Sequence, residues 1–129
     1  MNNRHVATRT SLWFGLLGGA IAWLLHLLLA YGIAEFGCVS GVGDTQFLGL
    51  SGVAALEILV TILTLAIAGS ASVIAQRNYD RDSSGDPSID QGMHDPRVFM
   101  ARSGVLTSRL FVFIIAVQSI PIFFYLRKC

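Results

Sequence analysis

Residues 12–34, 47–75 and 105–125 form three apolar runs of 23, 29 and 21 residues, interrupted by only two fully charged side chains, Glu57 and Arg109. About 20 helical residues cross a hydrocarbon core roughly 30 Å thick, so each run is long enough to span a bilayer. A soluble chain of 129 residues could bury a core, but it could not hide three such runs. The expected fold class is all-α: one integral membrane unit, 1–129, with three transmembrane helices at about 12–34, 47–75 and 103–126.

Composition agrees. The chain is 53% hydrophobic and 13% charged, about half the charged fraction of an ordinary soluble domain. The net charge of +1 names no partner, because the charges lie in separate segments and cancel. No basic patch of the kind that binds nucleic acid is present, and no internal repeat, coiled-coil heptad or low-complexity tract stands out. The first apolar run exceeds the 7 to 15 residues of a signal-peptide core, so a retained helix is expected. A lipoprotein anchor at Cys38 is disfavoured, since Glu35 stands where such signals carry an aliphatic residue.

Basic residues orient a membrane protein. Arg4 and Arg9 precede the first run, and Arg77, Arg81, Arg97 and Arg102 lie between the second and third. The first connection, 35–46, has no Lys or Arg and carries Glu35 and Asp44; Arg127 and Lys128 oppose the trend at the far terminus. The expected topology places the N-terminus in the cytoplasm and the C-terminus outside, in a bacterial inner membrane. A polar cytoplasmic loop, 77–95, then separates helices two and three. Asp95-Pro96 is a helix-start signal, so the third helix is expected to begin near Pro96, along the inner surface.

Small residues recur at three- and four-residue spacing. Gly15, Gly19 and Ala22 mark one stripe on the first helix, and Gly52 with Ala54 or Ala55 marks another on the second. Such stripes let helices approach closely in lipid, either within the chain or against another subunit.

Three polar side chains lie inside the runs. Measured from the outer ends, His26 is eight residues deep, Glu57 ten and Gln118 seven, which is roughly 10 to 15 Å. They are expected to share one intramembrane layer, bonding to one another or to a neighbouring subunit, with a proton-carrying role as the third reading. Haem ligation by His26 is disfavoured because the spans hold no second His and no C-x-x-C-H sequence occurs. Arg109, near the inner end, is expected to snorkel to the interface. Residues Asp80, Asp82, Ser84, Gly85 and Asp86 resemble the opening of a Ca²⁺ loop, but Gln91 stands where the closing Glu belongs, so no metal site is expected. Cys38 and Cys129 each lie four residues beyond an expected outer helix end, at one level on the oxidising side. They are candidates for a disulfide, with two free thiols as the alternative and copper ligation as a third reading that lacks a nearby His or Met.

The first segment, Leu12-Trp13-Phe14-Gly15-Leu16-Leu17-Gly18, then Ala22-Trp23 and Tyr31 with Cys38, resembles a group of small three-helix bacterial membrane proteins. The third segment shares the group's pattern at Phe99-Met100-Ala101, Gly104, Ser108, Leu110-Phe111, Pro121 and Cys129. It departs at Gly19-Ala20, where a Pro is often found, and at Arg127-Lys128, where the ending is usually apolar. Members of the group are encoded beside haem-copper cytochrome oxidases and their assembly factors. The resemblance implies a non-catalytic accessory subunit of a respiratory complex, most closely an oxidase of the aa3 or caa3 type. Its partners would be larger integral membrane subunits and lipid, with haem and copper held in those subunits and no cofactor of its own. An oxidase assembly factor, including a copper-related one, and a small subunit of another electron-transfer assembly such as alternative complex III are the other readings.

Overall fold

The computed structural model describes residues 8–83 and 96–125, with all side chains among them except those of Cys38, 82–83 and 122–125. Three long helices dominate: α1 (Arg9–Val39), α2 (Gly52–Ser83) and α3 (Pro96–Tyr125). Each contains a stretch long and apolar enough to cross a membrane.

The helix ends follow from local chemistry. Thr8, extended at φ −69° and ψ 149°, accepts a hydrogen bond from the Ser11 amide and starts α1 three residues before the apolar run. At the other end the Ser40 amide donates to the Phe36 carbonyl, and Gly41 turns left-handed at φ +76°. That conformation stops a helix and suits glycine.

Between α1 and α2 the structure corrects the expected start of the second helix. Val42–Asp44 forms a 3₁₀ turn, and Gln46–Phe47 (β1) pairs antiparallel with Leu50–Ser51 (β2). Leu48 and Gly49, at φ +53° and +78°, make the two-residue turn between them. Two successive left-handed residues cannot continue a right-handed helix, so α2 starts at Gly52, where the Ser51 hydroxyl accepts from the Ala54 amide.

The far end of α2 carries a second correction. Residues 77–83, expected to be loop, are helical. Asn78 is buried and exchanges hydrogen bonds of 2.9 and 3.1 Å with Ser11 of α1, while Tyr79 packs against the cluster of Leu12 and Ala101. Gln76 donates to Asp80 one turn on, and Arg81 lies in the last turn, where a cation complements the helix dipole. α3 begins at Pro96, as expected from the Asp-Pro signal.

The helices alternate in direction, and each packs on both others. Their buried residues recur at three, four and seven: Leu12, Gly15, Gly19, Ala22 and His26 on α1; Glu57, Thr64, Ala68, Ala71, Ala75 and Asn78 on α2; Ala101, Ser108, Ile115 and Ser119 on α3. This is the seam of a left-handed bundle. It shows no apolar heptad in the sequence because most of its members are small or polar. Large apolar side chains lie outside instead, among them Leu17, Ile21, Leu24, Leu28, Leu59, Ile62, Leu106 and Phe113.

The small residues pack within the chain. A Cβ on Gly15 would stand 3.1 Å from the Cβ of Ala75, and one on Gly18 would stand 2.8 Å from that of Ala71. On the α3 side, a Cβ on Gly19 would meet the Cα of Ser108 at 3.0 Å, and one on Gly104 would meet the Gly15 carbonyl at 3.1 Å. Gly15 is therefore a junction of all three helices. The buried Ser108 hydroxyl completes it with a 2.6 Å bond to the Gly15 carbonyl. Gly52 has a different part from the one expected: a Cβ there would strike Thr45 and the Val42 carbonyl, so it makes room for the 3₁₀ turn and not for a neighbouring helix.

Candidate functional site

His26, Glu57 and Gln118 are separated by the structure instead of joined. His26 is fully buried, and its Nδ1 lies 3.2 Å from the Thr64 hydroxyl on α2. That hydroxyl donates to the Val60 carbonyl at 2.8 Å, leaving its oxygen to accept, an arrangement that favours the proton on Nδ1 and a bare Nε2. Gln118 instead accepts a 3.0 Å bond from the indole of Trp23, whose ring stacks at a tilt on Phe111, 5.6 Å between centroids. Glu57 lies seven residues along α2 from Thr64, or about 10 Å nearer the hairpin end at 1.5 Å per residue.

The expected single layer is therefore a ladder. Its rungs from the hairpin end are Glu57, then Thr61 with Ser119 at 3.4 Å, then Thr64 with His26, and Trp23 with Gln118. The depth of Glu57 was overestimated because the hairpin takes the first residues of the second apolar run out of the helix. Among the described residues, both carboxyl oxygens of Glu57 and the Nε2 of His26 are buried without a hydrogen-bond partner. Buried polar atoms in proteins are nearly always paired, so these three are the chemically notable atoms of the bundle.

Arg109 does more than reach toward the interface. Its guanidinium donates to the Gln76 side chain at 3.0 Å, and Gln76 donates in turn to Asp80 at 2.9 Å, linking α3 to the polar end of α2. Sequence reasoning missed this chain, together with Ser11–Asn78, Thr64, Ser108 and Ser119. Their signal was present as polar residues at seam positions, visible once the register is known.

Among the described residues no three His, Cys, Asp or Glu side chains gather in a metal-holding group. Cys38 lies in the last turn of α1; its side chain and Cys129 fall outside the described residues, as does the Ca²⁺-like segment beyond residue 83. The chain matches no family model, no curated protein and no solved structure.

Among the described residues the arginines gather toward one end of the bundle, together with Asp80, and the hairpin end carries acids but no Lys or Arg. Arg9 and Arg97 open α1 and α3, and Arg81 closes α2 at that same end, whereas Glu35 and Asp44 stand at the other.

Proposed function

We propose that this chain is a non-catalytic accessory subunit of a bacterial respiratory membrane complex, most closely a haem-copper cytochrome oxidase of the aa3 or caa3 type. The observation that carries the reading is the internal use of the small-residue stripes. Gly15, Gly18, Gly19 and Gly104 are consumed in contacts among α1, α2 and α3, so the bundle is a self-packed unit. Its apolar exterior is what lipid and larger subunits meet. The resemblance of the outer helices to proteins encoded beside such oxidases supports the choice of complex.

In this reading the Arg-rich end faces the cytoplasm, and haem and copper reside in the partner subunits. His26, engaged with Thr64, is a packing residue. Loss of the chain lowers the amount of assembled oxidase while turnover per assembled complex stays nearly unchanged. Haem content and oxygen consumption in membranes with and without the gene measure both quantities. Normal assembly with lost turnover would instead assign the chain a part in electron or proton transfer. A chain needed for assembly but missing from the finished complex would be an assembly factor.

A further inference from the structure

α1 and α3 run parallel, so Arg9 in the first turn of one and Arg97 in the first turn of the other reach the same end of the bundle. A cavity of about 260 Å³ lies there, lined by Arg9, Leu12, Trp13, Arg97 and Met100. Leu12 and Met100 belong to the apolar cluster that also holds Ala101 and Tyr79. The cavity thus has cationic residues and an apolar wall, with an indole beside them. A free anion would use only the cationic part. A phospholipid uses both, because its phosphodiester oxygens accept charge-assisted hydrogen bonds and its glycerol and first methylenes need apolar surface. Tryptophan is enriched at headgroup depth, and the parallel N-termini of α1 and α3 add positive potential.

We propose that this cavity binds an anionic phospholipid, with the phosphate at Arg9 and Arg97 and the upper acyl chain along Leu12, Trp13 and Met100. Arg77 and Arg81 lie at the same end on α2 but do not line the cavity, which makes them a matched control for bulk charge. Trp13, 45% exposed, is a built-in reporter.

The test uses the full chain with Trp23→Phe, reconstituted in phosphatidylcholine bilayers containing a small fraction of brominated phosphatidylglycerol. Trp13 fluorescence is expected to be quenched well beyond the mole fraction of the brominated lipid. Arg9→Gln with Arg97→Gln weakens the apparent affinity about ten-fold, whereas Arg77→Gln with Arg81→Gln leaves it nearly unchanged. Native mass spectrometry of the unsubstituted chain provides a second readout: phosphatidylglycerol is retained in preference to phosphatidylcholine, and the preference is lost in the Arg9/Arg97 variant. Equal quenching by brominated phosphatidylcholine, or equal loss in both arginine pairs, would overturn the site. Displacement by inorganic phosphate at matched ionic strength would make it a free-anion site and overturn the lipid assignment.

Discussion

Glu57 and Gly19 show at single positions how the interior is built. Glu57 is 1% exposed, with both carboxyl oxygens unpartnered among the described residues. An unsatisfied buried polar group costs about 1 to 3 kcal/mol, so Glu57→Met, apolar and flexible enough to fit the space, should stabilise the bundle by an amount in that range. Reversible unfolding in detergent micelles measures it, and destabilisation would reveal a partner that Glu57 holds. At Gly19 a Cβ would press on the backbone of Ser108, whereas a Cβ on Gly69 would meet nothing within 4 Å. One substitution therefore has two signs. Gly19→Ala is expected to lower stability by about 1 to 3 kcal/mol through overpacking. Gly69→Ala should raise it by roughly 0.5 to 1 kcal/mol by restricting the unfolded chain. Equal effects in the same unfolding assay would mean that α1 and α3 do not meet at Gly19.

Among the elements, the hairpin between α1 and α2 is the least obvious. Leu48 holds φ +53° while 90% exposed, so its side chain gains little packing for an unfavourable backbone. Asn-Gly suits a two-residue turn of this kind, and the left-handed region costs a residue such as Leu about 1 to 2 kcal/mol. Leu48→Asn should raise the unfolding midpoint without altering helix content, and a lowered midpoint would argue against the turn. This segment also shows what the sequence could reveal. Length and apolarity made the three spans legible, since lipid permits few other uses for such runs. The Pro96 start was legible because Asp-Pro is a local signal. Phe47-Leu48-Gly49-Leu50 was misread as helix because hydropathy does not distinguish a helix from an apolar hairpin. Residues 77–83 read as loop because the contacts that hold Asn78 and Tyr79 in the helix, with Ser11 and Leu12, are far away in sequence. The polar ladder failed for the same reason. Pairing His26 with Thr64 and Trp23 with Gln118 requires the register between helices, which depths counted along each separate run do not supply.

At the scale of the whole molecule, two parallel helices and one antiparallel to both, of about 30 residues each, make a rod with arginines toward one end and, among the described residues, no Lys or Arg at the hairpin end. The arginine-rich end is expected to face the cytoplasm. In a chain with Cys38→Ser and Cys129→Ser, Phe47→Cys should react with an impermeant thiol reagent in intact cells, and Arg81→Cys only after permeabilisation. The reverse pattern would turn the protein over in the membrane. The role of the rod is tested most directly by gentle detergent purification of the tagged chain from the membranes of the cells that encode it, with protein stoichiometry and visible spectrum recorded on one sample. The expected result is a fixed ratio to larger oxidase subunits and a haem spectrum that persists in His26→Ala. A chain that purifies alone, or a stoichiometric haem band that His26→Ala abolishes, would contradict the accessory role.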